Sequence, residues 1–163
     1  MTALKLLGAA LIFACAIATV REYSSYCETR IRQSAAFCSF VTHIERGACT
    51  YLLPSSEAAA GFEDEELEKV GFIGALRSGG SLYSAFSLVK DSLLFSDGQK
   101  EALLSFFKDF GNSYVNDERK RVERTKEELV RLGREDEKKT KESEKVVKTL
   151  VLALALGVII LML

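Results

Sequence analysis

Tryptophan is absent, and proline and histidine occur once each, as Pro54 and His43. One proline leaves helices uninterrupted over most of the chain. One histidine makes any Ser–His or Cys–His relay depend on His43 alone, and Cys38, five residues away, lies off its helical face. A formal charge of −1 supplies no global field to draw in nucleic acid or anionic lipid. No Asn-Gly or Asp-Gly pair joins two alternating runs, so the hairpin signal is missing. No Gly-Lys-Ser/Thr follows Gly71-x-x-Gly74 or Gly79-Gly80, which excludes a phosphate loop. With abundant Ala, Leu, Glu and Lys, the remaining choice is an all-α chain.

What the chain does have is two apolar ends. Residues 4–20 read LKLLGAALIFACAIATV, and residues 146–163 read VVKTLVLALALGVIILML. At about 1.5 Å per residue, eighteen helical residues reach about 27 Å, close to a ~30 Å hydrocarbon core. Lys148, the one charge in the second run, can snorkel to the interface. The first run has Lys5 as a short positive flank, and Ala14-Cys15-Ala16 or Ala16-Ile17-Ala18 could serve as a signal cleavage site. Its apolar stretch exceeds a typical signal core, which favours a retained anchor. The expected division is a transmembrane anchor at 1–20, a soluble helical domain at 21–145 and a transmembrane helix at 146–163. With both ends removed, roughly 125 residues remain, enough for one small domain.

Lys and Arg near the spans set the expected topology. Arg21, Arg30 and Arg32 follow the first span, and Lys138, Lys139, Lys141 and Lys145 precede the second. The positive-inside bias places the middle in the cytosol and both termini across the membrane.

Inside the middle, residues 21–53 read as one helix with a stripe of Ile31, Ala35, Cys38, Val41 and Ile44, and Phe37 and Phe40 beside it. Pro54-Ser55-Ser56 breaks it. Ser56 or Asp64 can cap an amphipathic helix over 62–77. The turn Ser78-Gly79-Gly80-Ser81 separates this from a short helix over 82–94, with positive φ expected at Gly80 if the turn demands it. Ser96-Asp97-Gly98-Gln99 resembles a capping box ahead of a helix bearing Leu103, Leu104, Phe106, Phe107 and Phe110, with Gly111 at its C-terminal cap.

A long charged helix opens at Asn116 and Asp117. Acid-before-base pairs at i,i+4 recur along it: Asp117–Arg121, Glu127–Arg131, Glu135–Lys139, Glu137–Lys141 and Glu144–Lys148, each adding about 0.2–0.5 kcal/mol. Val115, Val122 and Leu129 keep a seven-residue, coiled-coil-like stripe, joined by Leu132. Residues 134–145 carry no apolar side chain and read as a solvated stalk. Acids interleave the bases almost one for one, without stacking aromatics, so no nucleic-acid grip forms.

Four cysteines are present. Cys27, Cys38 and Cys49 are spaced by eleven residues, about 16 Å along a helix, too far for a disulfide or a shared zinc. Small buried apolar side chains in a reducing compartment is the expected role.

The order of these features resembles the stage III sporulation protein AB family. The resembling positions are Lys5-Leu6-Leu7-Gly8-Ala9, Gly80-Ser81-Leu82 with Ala85, Phe110-Gly111, Asn116-Asp117 and the run 145–163. The chain departs at Ile44-Glu45-Arg46-Gly47, where the family more often has a Glu-Ile followed by a Tyr. The resemblance implies a non-enzymatic membrane scaffold of the channel between mother cell and forespore, in the mother-cell membrane around the forespore. The implied partners are other channel subunits and a cytosolic secretion-type ATPase encoded beside it. Its soluble domain is similar to the cytoplasmic domains of type II secretion and type IV pilus platform proteins. Gly80, Leu82, Gly111, Asn116 and Asp117 are the candidate structural or interaction residues. No cofactor, metal, nucleic acid or small-molecule substrate is implied. The alternative is an exported envelope helical protein with a cleaved signal peptide and a C-terminal membrane anchor.

Overall fold

The computed structural model describes residues 2–47, 59, 61–110 and 115–162, with side chains over 5, 7–47, 59, 61–110 and 120–161. The protein is all-α, with no strand among the described residues. The elements are α1 (Thr2–Glu45), α2 (Glu65–Lys69), α3 (Phe72–Arg77), α4 (Leu82–Val89) with a 3₁₀ turn (Lys90–Ser92), α5 (Asp97–Asp109) and α6 (Val115–Met162). Two compact units divide them: Met1–Thr29 with Glu137–Leu163, and Arg30–Asp136.

The second unit is a helical bundle filled by phenylalanine. Of the ten Phe side chains in the sequence, all but Phe13 belong to this unit. Phe72 sits among four others, with ring centroids 5.1 Å from Phe37 and Phe40, 6.0 Å from Phe107 and 6.4 Å from Phe86. Most of these pairs meet edge to face or tilted, the arrangement the ring quadrupole favours. The rings also decide which face of α1 turns inward. Phe37, Phe40, Val41 and Ile44 are fully buried, whereas Ala35 is exposed and Ile31 and Cys38 are half-buried. The expected stripe is therefore rotated, because two Phe side chains bury far more apolar area than an Ala and a Cys.

Two local expectations are corrected, and one of two alternative caps is found. The single helix over 62–77 is two, divided at Gly71, whose φ of +84° ends α2 in the left-handed conformation. Asp64 is the residue that caps α2, accepting from the amides of Glu66 and Leu67 at 2.9 and 3.1 Å; Ser56 lies outside the described residues, as does Pro54. The helix over 82–94 ends at Val89, then tightens into the 3₁₀ turn.

The capping box before α5 does not form. Ser96 occupies the N-cap without a side-chain cap bond; its hydroxyl instead donates to Gln99 Oε1 at 3.3 Å, and Gln99 is buried. Its amide donates to the Ser34 hydroxyl of α1 at 2.7 Å. Gly133 of α6 completes this polar junction: a Cβ there would lie 3.2 Å from Ser34 Oγ and 3.4 Å from Gln99 Nε2. A second buried amide, Gln33, accepts from the Leu94 backbone at 2.9 Å and pins the loop after the 3₁₀ turn. Both glutamines meet the requirement that buried polar groups find partners.

The seven-residue stripe of α6 continues where the apolar residues stop. Val122 and Leu129 are buried, and so is Asp136 seven positions on. The side chain of Val115 lies outside the described ones. Residues 134–145 are thus not a uniformly solvated stalk, since Asp136 and Thr140 are both buried. On the exposed faces, Glu137–Lys141 and Glu144–Lys148 pair as expected, and Arg131 pairs forward with Glu135.

The first unit consists of residues 2–29 of α1 and 137–162 of α6. Among the described residues, one helix, α1, is long and apolar enough to cross a membrane by length and composition.

Candidate functional site: a groove at the Gly79–Gly80 turn

A recess in the bundle opens beside the turn between α3 and α4, with a volume of about 770 Å³. That lies within the range of pockets that hold ligands or partner side chains. Its walls are Ile73, Leu76 and Arg77 of α3, the Gly79–Ser81 turn, and Leu82 and Tyr83 of α4; Phe107, Lys108 and Phe110 close it from α5, with Ala59 and Phe62 beside them.

The turn builds the opening. Ser78 follows the last helical residue of α3, and Gly79 takes φ +88°. The Gly79 amide donates to the Leu76 carbonyl at 3.1 Å and the Gly80 amide to the Ala75 carbonyl at 3.3 Å. This paired closure satisfies carbonyls that the helix end leaves open. Positive φ thus belongs to Gly79, not to Gly80. Gly80 is needed for space: a Cβ there would stand 2.9 Å from the Ala75 carbonyl oxygen and 3.2 Å from Ser84 Oγ. Ser81 then starts α4, accepting from the Ser84 amide at 3.1 Å.

Of the sequence candidates, Gly80 and Leu82 come together here, Gly80 in the turn and Leu82 with its side chain buried in the floor. Gly111 lies outside the described residues. Asn116 and Asp117 lie in the first turn of α6, with side chains outside the described ones. Of the other wall residues, Gly79 and Ser81 were expected only as turn positions and Phe107 and Phe110 only as an apolar helix face. Tyr83 is the one a sequence could have offered, a large aromatic one place after an expected core Leu, which helical geometry turns outward.

The rim is basic. Arg77 and Lys108 border the groove and no carboxylate is among its described lining residues; Arg77 is held from outside by Glu68 at 2.7 Å. Nearby, the α2 pair Glu65–Lys69 is coupled at 2.9 Å. The hydrogen bond and charge of Lys69 lower the Glu65 carboxyl below its ordinary value, and Glu65, with Glu66, raises Lys69.

Chemistry of other kinds finds little support. Burial raises the Cys38 thiol above its ordinary value, opposite to the shift a thiolate nucleophile uses. Cys15 and Cys27 are in no disulfide among the described residues, and Cys49 lies outside them. No cluster of three His, Cys, Asp or Glu suited to a metal occurs among the described residues. His43 meets Phe62 in a tilted ring contact, with centroids 5.2 Å apart.

The fold and groove define an all-α protein with a membrane-length apolar helix and a recess walled by helices. The chain belongs to the stage III sporulation protein AB family, whose model matches residues 5–163. It is therefore a stage III sporulation protein, of a family not known as one of enzymes. Comparison with curated proteins and with solved structures gave no match.

Proposed function

We propose that this protein is a non-enzymatic, membrane-anchored scaffold of the mother cell–forespore channel. It docks a secretion-type ATPase and channel subunits through its helical bundle. The family match over residues 5–163 carries the reading, and the groove beside Gly79–Gly80 gives it a surface. An apolar floor with Arg77 and Lys108 on the rim suits an amphipathic partner helix whose polar edge is acidic. The apolar ends hold the bundle at the mother-cell membrane around the forespore. The Lys and Arg residues beside them favour a cytosolic bundle.

Mechanism in this reading is positional. The chain supplies no reacting group; it raises the local concentration of partners at one place on the membrane. The test is co-purification, from sporulating cells, of the full chain with the ATPase encoded beside it. Tyr83 is 42% exposed, so Tyr83→Glu places a negative charge at the groove without disturbing the core. The reading predicts that the intact chain retains the ATPase and Tyr83→Glu loses it. Equal recovery with both would remove the groove from the account, and no recovery with either would remove the ATPase.

A further inference from the structure

The unit formed by residues 2–29 and 137–162 is inside out by the standard of a water-soluble helix pair. Its large apolar side chains point outward: Leu7, Leu11 and Ile17 on α1, and Leu150, Leu154 and Ile160 on α6, are each about half exposed or more. Its interior holds small or weakly polar residues, with Ala16, Cys27, Thr140 and Ala155 buried. Such a seam lets helices approach closely where lipid, not water, surrounds them. Ala16 lies about two turns N-terminal of Ser24 and Ala155 about three turns C-terminal of Glu144, on the same side of the Ser24–Glu144 level in an antiparallel pair.

At the Ser24–Glu144 level the unit turns polar. The Ser24 hydroxyl sits between the Val20 carbonyl, 2.9 Å away, and the Glu144 carboxylate. Lys148 reaches the same carboxylate at 2.6 Å. One position on either side of Ser24–Ser25, Tyr23 and Tyr26 stack with centroids 6.3 Å apart and planes 24° apart. Between this level and the far end of the unit, residues 6–20 and 149–161 contain no Asp, Glu, Lys, Arg or His.

We propose that these two segments cross the bilayer as one antiparallel hairpin of fixed depth. Acyl chains cover the apolar outer faces of residues 7–20 and 149–161, and the water boundary is locked at Ser24–Glu144–Lys148. Tyr23 and Tyr26 lie among the lipid headgroups. The occupant of the exposed apolar face is lipid because the charge-free run of residues 6–20, about 23 Å for fifteen helical residues, approaches a ~30 Å hydrocarbon core. The features at the boundary agree with this. Aromatic rings with a polar tip concentrate at the headgroup level, and Lys148 extends from an apolar segment toward water. Glu144 has a reason to sit there: paired with Lys148 and Ser24 it fixes one helix against the other where hydration begins, and a step deeper its charge would be costly. The proposal is independent of what the bundle docks.

The absence of tryptophan makes the test direct, since one substitution creates the only indole in the chain. Full-length Tyr26→Trp, Phe13→Trp and Leu154→Trp proteins are reconstituted in phosphatidylcholine vesicles carrying bromine at a shallow or a deep acyl position. The expected result is that Tyr26→Trp emission is quenched several-fold more by shallow bromine than by deep. Phe13→Trp and Leu154→Trp should show the reverse order. Quenching of either of the latter by aqueous iodide in place of bromolipid would overturn the hairpin. In the Tyr26→Trp protein, adding Glu144→Ala should move the emission away from its shallow preference. An unchanged depth profile would overturn the lock.

Discussion

Arg30 grips Asp136 with two guanidinium nitrogens. Nε donates to one carboxylate oxygen at 2.9 Å and Nη2 to the other, joining α1 to α6 within the bundle. The forked contact suits guanidinium geometry. It occupies the α6 position that continues Val122 and Leu129, so an apolar seam is completed by a charge pair. Asp136→Asn keeps the shape but removes the charge, and Arg30 is left partly buried without it. The expected loss is about 2 kcal/mol, read as a lowered urea midpoint for the full chain in detergent. Arg30→Lys, which cannot make the fork, should lose a similar share.

Both glycines of the turn between α3 and α4 resist a side chain, whereas Gly74 inside α3 does not. Gly79→Ala forces a side chain into positive φ and should cost about 1 kcal/mol. Gly80→Ala meets the Ala75 carbonyl, a backbone atom that cannot swing away, and should cost about 1–3 kcal/mol. Gly74 has open space around its would-be Cβ, so Gly74→Ala should gain up to about 1 kcal/mol from helix propensity. Thermal unfolding of the three variants side by side checks the order.

Phe72, like Phe107, lies against four other rings. Phe72→Ala removes four aromatic contacts at once and should cost about 3–5 kcal/mol, a large part of what a small domain has. Loss of the cooperative transition in near-ultraviolet circular dichroism, with helicity retained, is the expected appearance.

Much of this was legible in the sequence, and its limits are instructive. Helix content followed from the residues present, and the core from where the phenylalanines fall. The direction of the α1 face was not, because periodicity gives a stripe but not which of two adjacent stripes the heavier rings pull inward. Gly79 and Gly80 read as one turn, yet which needs positive φ depends on where α3 stops. Gln99 looked like a cap because its spacing from Ser96 is right; only the arrival of Ser34 and Gly133 from distant chain positions gives its amide a buried partner. The groove has no sequence signature at all, since its walls come from three helices.

Glu144 gives a pH prediction. Its carboxyl is lowered from the ordinary 4.5, first by the hydrogen bond from Lys148, then by Ser24. A depressed native value means the stabilisation is fully present above the unfolded value and is lost as pH falls through the native one. Wild type should therefore exceed Glu144→Gln in stability at neutral pH, with the difference shrinking below about pH 4.5 and vanishing in stronger acid. A constant difference across that range would show that Glu144 acts by packing instead of charge.

Processing at the N-terminus is open to intact mass. Ala16 is buried in the first unit, and cleavage after Ala16 or Ala18 would sever α1 within the segment that packs there. The mature protein should therefore retain residues upstream of Ala16. A mass beginning at Ile17 or Thr19 would instead favour an exported protein.

The measurement that bears most directly on the scaffold is sporulation itself. The gene is deleted in its own bacterium, and the strain receives either the intact chain or Tyr83→Glu. The account predicts that the deletion stops late forespore gene expression and heat-resistant spore formation. The intact chain should restore both, and Tyr83→Glu, although present at normal level in the membrane, should restore neither. Normal spore counts and late forespore expression in the deletion strain would contradict it.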